Sequence, residues 1–215
     1  MRFEERLGLH GFLDAYPEMR VRPSPSSALR LEGEFGFRAD YRARLIIEDA
    51  YRLQVNVSRH FPKDLPKVLE LDERIPRQAD YHVSDDGTLC LGSPLRLYLI
   101  AFKHPHLIEF AKRSLVPYLY ANSYREQKGT YPFGELAHGV GGELDDYAQF
   151  LGLEGPGQAT EAIALMAMKR RLANKRPCPC GCGMRLGVCH FNETIRRLRS
   201  QLGRTVFKQL YNKLS

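Results

Sequence analysis

The sequence of 215 residues lacks the marks of a membrane or secreted protein. No apolar run reaches the ~18 residues that a membrane helix needs. The N-terminus, MRFEERLGLHGF, has glutamates where a signal peptide has an unbroken apolar stretch. Internal repeats and low-complexity segments are lacking too. Since 43% of the residues are hydrophobic and 27% are charged, we expect a soluble, cytoplasmic, globular protein without a membrane partner.

Cysteine is scarce and unevenly placed. Of the five cysteines, Cys90 stands alone and the other four lie within residues 178–189. A small secreted protein held by disulfides spreads its cysteines along the chain. This distribution instead predicts a reduced compartment, one isolated thiol and one metal cluster.

Negative charge is depleted near the C-terminus. Residues 1–155 have 20 Lys and Arg against 23 Asp and Glu, whereas residues 156–215 have 12 against 2, a net charge of +10. The change falls at LEGPGQ, whose glycines and proline suit a linker. We therefore predict one domain over 1–155 and a basic tail over 156–215. Such a tail attracts nucleic acid or another acidic partner, although a solvated basic face is equally consistent with the sequence.

The hydrophobic periodicity predicts an α+β fold. Apolar and polar residues alternate in four segments, which we interpret as a four-stranded antiparallel meander with helices on one face or end. Pro105 and Pro117 should break or kink the long helical region. The predicted strands are 29–37, 43–47, 53–57 and a short one at 68–71, and the predicted helices are 2–15, 95–124, 143–151, 159–174 and 192–214.

The lone Cys90 follows a turn signal. It stands in HVSDDGTLCLGSP (82–94), just beyond Asp-Asp-Gly at 85–87. A partly exposed thiolate in such a loop is a candidate nucleophile, and His82 is a nearby hydrogen-bond donor. The alternative is that Cys90, between two leucines, is a small buried apolar residue.

Two stretches and the order of elements resemble the ubiquitin-conjugating (UBC) family. HFPKDLPKVLEL (60–71) resembles the family's flap with an aromatic residue and two prolines, and DDGTLCLGS (85–93) resembles its Asn-Gly-x-x-Cys-Leu stretch. The resemblance covers about residues 1–125 and is closest to divergent bacterial members that continue past the core fold. It implies that Cys90 carries the C-terminus of a ubiquitin-like protein as a thioester and passes it to an amine.

Two histidines are candidates for a supporting role. Eukaryotic members of the family have His-Pro-Asn before the cysteine, whereas the matching text here is His82-Val83-Ser84, without the asparagine. His82 would orient the loop or donate to the oxyanion, or else only brace the loop. His138, in FGELAHGVGG (133–142), has flanking glycines that let a substrate approach closely, or it is an ordinary loop histidine.

The clustered cysteines predict a structural zinc site. RPCPCGCGMRLGVCH (176–190) contains C-x-C-x8-C-H, and thiolates with one imidazole form a tetrahedral set that suits Zn²⁺. The pattern resembles the SEC-C motif, a small zinc module found at the end of bacterial secretion ATPases. Four protein ligands leave no open position, so the metal should be structural. The expected ligands are Cys178, Cys180, Cys189 and His190, with Cys182 as a spare thiol where the motif usually has serine.

Three functions follow from these patterns. The resemblance implies a bacterial transferase that acts on a ubiquitin-like protein or a nucleotide cyclase in an anti-phage system, with or without a separate activating enzyme. The alternative is a non-catalytic adaptor in which Cys90 is a packing residue and the zinc-bearing tail binds a partner protein or nucleic acid. A third function is nucleic-acid binding by the tail. The tail does not interleave aromatic residues with the basic ones, which argues against this function.

Overall fold

The computed structural model describes residues 2–24, 29–41, 45–133 and 139–214 as an α+β protein. They divide into two compact units, Met1–Gly92 with Ile100–Glu135, and Ser93–Leu99 with Leu136–Ser215. The predicted division between residues 155 and 156 stays a prediction. The strands are β1 (Met19–Arg22), β2 (Leu29–Ala39), β3 (Ile47–Val57) and β4 (Lys67–Glu70). The helices are α1 (Phe3–Leu7), α2 (Leu9–Ala15), α3 (Pro94–Lys103), α4 (Leu107–Phe110), α5 (Val116–Lys128), α6 (Gly139–Leu151), α7 (Pro156–Ala167), α8 (Arg170–Ala173) and α9 (Phe191–Leu214).

The first unit is built on a four-stranded antiparallel sheet in the order β1-β2-β3-β4. Strands β2 and β3 pair along their whole length, from Leu29 opposite Val57 to Ala39 opposite Ile47. The inward side chains of these strands are almost wholly buried, and helix α5 packs against both strands. The prediction of an α+β fold with a four-stranded antiparallel sheet is confirmed.

Two of the four strands differ from the predicted ones. Of the segment predicted at 43–47, residues 43 and 44 lie outside the described residues and only Ile47 belongs to a strand. The segment predicted at 53–57 is the second half of β3, which runs without interruption from Ile47 to Val57. Asp49 is a charged residue among the inward-facing apolar side chains of β3. It interrupts the alternation of apolar and polar residues, so the sequence pattern predicts two short segments instead of one strand. The structure adds β1, which the sequence did not predict because Met19 is its only buried residue.

The helices of the first unit follow the glycine and proline positions. Gly8, with φ +67°, separates α1 from α2. The predicted break at Pro105 is present, since α3 ends at Lys103 and α4 begins at Leu107. Pro117 lies inside the helical stretch instead of ending it. A π-helical turn over Ala111–Leu115 precedes this proline and accommodates its missing N–H and bulky ring.

The second unit is helical. Helix α7 packs against α6 and α9 through buried small and aliphatic side chains. Within this unit, Arg96 forms an ion pair with Asp146 of α6 at 2.8 Å, and Ser93 donates a hydrogen bond to the same carboxylate. Helix α9 changes direction at Gly203, whose φ is +75°. None of the described helices is both long and apolar enough to cross a membrane.

Candidate functional site

Cys90 follows a tight turn that returns the chain to the sheet. The Gly87 N–H donates to the carbonyl of Ser84 at 2.8 Å, and the Ser84 N–H donates to that of Thr88 at 2.9 Å. Gly87 has φ +78°, a conformation that favours glycine. Beyond the turn, the Leu89 N–H donates to Val68 of β4 at 2.8 Å. The segment that carries Cys90 is therefore fixed to the edge of the sheet.

The alternation of side chains in this segment brings Cys90 to the surface. Leu89 is 4% exposed and packs inward. In an extended segment the next side chain points the opposite way, and Cys90 is exposed. Cys90 is therefore accessible from solvent. Its role as a nucleophile stays a prediction.

His82 is joined to Cys90 through the backbone. The Cys90 N–H donates to the His82 carbonyl at 2.7 Å. His82 ends the 3₁₀ turn Ala79–Tyr81 with φ +55°, the left-handed region that few non-glycine residues adopt. The catalytic role of its imidazole stays a prediction. The other predicted histidine, His138, lies outside the described residues.

An arginine from helix α5 holds the segment that precedes His82. Arg125 Nη1 donates to the Asp80 carbonyl at 2.8 Å and to the Tyr131 hydroxyl oxygen at 2.9 Å. The Tyr131 O–H donates to the same carbonyl at 2.8 Å. The guanidinium lies 4.0 Å from the centroid of the Tyr81 ring. The sequence does not predict this role of Arg125, because an arginine near the end of a helix usually faces solvent.

Tyr118 of α5 completes the support beneath the loop. Its O–H donates to the Tyr81 carbonyl at 2.8 Å. Burial raises the pKa of Tyr118, and negative charge on Tyr131 and on Cys90 raises it further. The Tyr118 phenol therefore stays neutral and keeps its hydrogen bond to the Tyr81 carbonyl. No signal in the sequence distinguished this tyrosine from the other apolar positions of the helix.

The second candidate site is the cluster of four thiols formed by Cys178, Cys180, Cys182 and Cys189. All four Sγ atoms lie within 4.8 Å of one another. The Cys178–Cys180 distance is 3.2 Å, and the Cys180–Cys189 and Cys182–Cys189 distances are both 3.5 Å. Burial raises the pKa of Cys178, whereas the hydrogen bond from Cys178 lowers that of Cys180.

A short backbone motif forms the cluster. Pro177 and Arg185 pair as an antiparallel bridge, and the Cys178 N–H donates to Met184 at 2.8 Å. Gly181 and Gly183 have φ +76° and +74°, so the loop between them folds back toward Cys189. The chain from Cys178 to Cys182 and the start of α9 therefore converge on one point.

The donor set fits a thiophilic metal such as Zn²⁺. A tetrahedral zinc with ~2.3 Å bonds holds its sulfurs about 3.8 Å apart, close to the separations in the cluster. Three of the predicted ligands, Cys178, Cys180 and Cys189, belong to the group, and so does Cys182. The imidazole of His190 is not part of it, although its Nδ1 lies 3.8 Å from Cys189 Sγ. The assignment of His190 as a ligand stays a prediction.

A basic cavity of about 800 Å³ opens beside the cluster. We name it the arginine groove after Arg170, Arg196, Arg197 and Arg199, and His190 also lines it. Within the described part of the chain, the first three of these arginines have no ion pair. Arg199 donates to the Met168 carbonyl at 2.8 Å, and burial followed by repulsion from Arg204 and Arg170 lowers its pKa. Glu193 also lines the groove, so its lining has four arginines against one carboxylate and concentrates positive charge.

Compared with other proteins, the chain matches no protein-family model, no curated protein and no solved structure.

Proposed function

We propose that this protein is a ubiquitin-conjugating-like acyl transferase with Cys90 as its nucleophile. The observation that carries the proposal is the exposure of the Cys90 thiol on a segment pinned to the edge of an antiparallel meander. The resemblance of the sequence around the flap and around Cys90 to the UBC family points to the same chemistry. The proposal places the transferase in a bacterial anti-phage system, in the cytoplasm.

The proposed reaction has two steps. The Cys90 thiolate attacks the carbonyl of a thioester that joins a donor protein's C-terminus to a carrier thiol, and the carrier leaves as a thiolate. A neutral amine then attacks the new thioester, the Cys90 thiolate leaves, and the amine nitrogen loses a proton. The donor is a ubiquitin-like protein or a nucleotide cyclase, and an ATP-dependent activating enzyme supplies its thioester where one is needed.

The residues around Cys90 support this chemistry by fixing the loop. The carbonyl of His82 holds the Cys90 amide, while Arg125 and Tyr118 hold the carbonyls just before His82. Fixed geometry matters because a single well-placed donor to the developing oxyanion contributes roughly 3–4 kcal/mol. In this proposal His82 orients the loop or donates to the oxyanion, and His138 is the second candidate.

A trapping experiment in the native host tests the transferase. Tagged wild-type protein should give an adduct, on a non-reducing denaturing gel, that an added thiol cleaves. Cys90→Lys should give an adduct that resists thiol, because an amide replaces the thioester. Mass spectrometry should locate the bond at position 90 and at the C-terminus of the donor.

Two variants complete the trapping design. Cys90→Ala should abolish the adduct. Asp85→Asn is the control in the same loop, since Asp85 is exposed and asparagine also suits a turn, and it should leave the adduct unchanged. If wild type and Cys90→Lys both fail to form an adduct when the native partners are present, the transferase proposal is wrong.

In this proposal a structural Zn²⁺ is held by the second unit in a SEC-C-like module. When bound, the metal supplies folding energy to a segment too small to form its own core. Cys178, Cys180 and Cys189 are three of its proposed ligands, and the spacing of the motif predicts His190 as the fourth. The nearness of the cluster sulfurs to one another supports metal binding.

A second candidate function is that of a non-catalytic adaptor. The arginine groove favours it, because unpaired arginines that repel one another are stabilised by an anionic partner. The partner would be nucleic acid or an acidic protein. Loss of Cys90 would leave this function intact, whereas loss of the groove arginines would remove it.

A further inference from the structure

We propose that Cys182, and not His190, is the fourth ligand of the metal, so that the site consists of four thiolates. This inference deepens the zinc-module part of the proposed function and is independent of transfer by Cys90. It differs from the ligand set that the spacing of the motif implies.

The distances favour the fourth sulfur. Cys182 Sγ lies 3.5 Å from Cys189 Sγ and within 4.8 Å of the other two sulfurs. In a tetrahedral zinc site every ligand atom must lie within about 4 Å of the other three. Three of the six sulfur–sulfur distances, at 3.2 to 3.5 Å, meet this requirement, and the other three are at most 4.8 Å. His190 approaches the sulfur of its sequence neighbour Cys189 but does not join the group.

The backbone around Cys182 is shaped for this contact. Gly181 and Gly183 flank it, and both adopt the left-handed conformation. Two such residues on either side of one cysteine turn its side chain back over the loop, toward the start of α9. A serine at position 182 could occupy the same place, but its hydroxyl is a poor zinc ligand beside three thiolates.

His190 is available for a different role. It is exposed and lines the arginine groove together with Arg196 and Arg197. Four thiolates around Zn²⁺ carry a net charge of −2, which a nearby cluster of arginines stabilises. The metal centre and the groove would then be electrostatically complementary, with the imidazole as part of the groove surface.

Zinc-edge X-ray absorption on the purified full-length protein provides the first test. Four thiolate ligands predict a first shell of four sulfurs at ~2.3 Å without a nitrogen at ~2.0–2.1 Å. A shell of three sulfurs and one nitrogen overturns the inference, and so does a protein that binds no zinc. Because this measurement uses the wild type, it does not depend on the folding of a variant.

Cobalt substitution of three variants provides the second test. In the Co²⁺-loaded protein, Cys182→Ser should lower the thiolate-to-cobalt absorption by about a quarter, since one of four sulfurs is lost. His190→Ala should leave the spectrum and the zinc affinity unchanged. Cys90→Ser serves as the thiol-loss control and should leave them unchanged as well. If His190→Ala alters the spectrum while Cys182→Ser does not, the ligand set with His190 is the correct one.

These tests separate the inference from the transferase proposal. A negative trapping result at Cys90 has no bearing on the number of sulfurs around the metal. Conversely, a shell that contains an imidazole nitrogen refutes the role of Cys182 and leaves the thioester chemistry of Cys90 untouched.

Discussion

At the scale of single residues, Arg74 organises the first unit. Its guanidinium binds both oxygens of Asp49 at 2.9 and 2.7 Å and both oxygens of Glu126 at 3.1 and 2.6 Å. The same group lies 4.2 Å from the centroid of the Tyr51 ring. Because all three nitrogens of the planar guanidinium donate hydrogen bonds, this one side chain joins β3 to helix α5.

Asp49 should make the stability of this unit depend on pH. Burial alone would raise the pKa of Asp49, but hydrogen bonds from Arg74, Ser123 and the Ala50 N–H outweigh burial and lower it below 3.8. The stabilisation is therefore complete above pH 3.8 and is lost as the pH falls through the lower folded-state pKa. In denaturant unfolding between about pH 2.5 and 6, Asp49→Asn should flatten the acid limb of the stability curve.

Glu48→Gln is the matched control for this prediction. Glu48 is the neighbouring carboxylate, but it is 81% exposed and lies 4.0 Å from Arg38. An exposed pair at this distance contributes little, so the variant should keep the acid limb of the wild type. Parallel curves for Asp49→Asn and the wild type would contradict the assigned role of Asp49.

Residue-scale features explain both a success and a failure of the sequence analysis. The turn at residues 85–87 was predictable because Asp, Asp and Gly favour a tight turn, and the turn determines where Cys90 lies. The single strand β3 was not predictable, because an inward-facing carboxylate looks like the end of an apolar alternation. Arg74 and Ser123, both distant in the sequence, donate hydrogen bonds that make Asp49 acceptable at that position.

At the scale of elements, the loop that carries the thiol cluster depends on a close approach between two backbones. A Cβ atom on Gly187 would lie 2.8 Å from the carbonyl oxygen of Asn174, just beyond α8. The Gly187 N–H donates to that same oxygen at 3.0 Å. Neither partner is a flexible side chain, so a larger residue at 187 must displace the backbone.

Gly187→Ala should therefore destabilise the second unit. We expect a loss of about 1–3 kcal/mol, the usual cost of forcing extra volume into a packed site, together with weaker zinc binding. Thermal unfolding of the zinc-loaded protein and a competition assay with a zinc chelator measure the two effects.

Gly157→Ala is the control, because a Cβ atom there meets nothing within 4 Å. Position 157 lies in α7, where alanine is favoured over glycine by up to about 1 kcal/mol, so this variant should be as stable as the wild type or more stable. Equal loss of stability in both variants would show that the contact with Asn174 does not control the fold of the loop.

Elements whose signal is local were predicted, and those that depend on tertiary contacts were not. The spacing of apolar residues predicted most of α9. The cysteines and glycines of residues 178–189 predicted the loop that brings the thiols together. Strand β1 has one buried residue, so its pairing with β2 leaves almost no trace in the sequence. Likewise, Pro117 predicted a break or a kink, and the helical stretch continues through it after a π-helical turn.

At the scale of the whole molecule, the uneven distribution of charged residues between the two parts of the chain is evident from the sequence. Twelve Lys and Arg against two Asp and Glu over residues 156–215 predict an acidic partner, but composition does not say where on the surface it binds. The fold gathers Arg170, Arg196, Arg197 and Arg199 around one groove, where we expect such a partner to bind. Three of the four come from α9, so their convergence with Arg170 depends on how the chain folds between α8 and α9.

If the groove holds a phosphate backbone, binding of the full-length protein to a duplex DNA probe should weaken steeply with salt. Each phosphate contact adds about 0.9 to the slope of log affinity against log salt concentration, so Arg196→Ala with Arg197→Ala should reduce the slope by about 1.8. Arg38→Ala with Arg52→Ala removes the same charge from exposed positions of the first unit and should leave the slope nearly unchanged. Cys90→Ala should bind like the wild type.

Binding of poly-glutamate with no binding of DNA would identify the partner as an acidic protein. A salt slope that does not respond to loss of Arg196 and Arg197 would refute the groove as the contact surface.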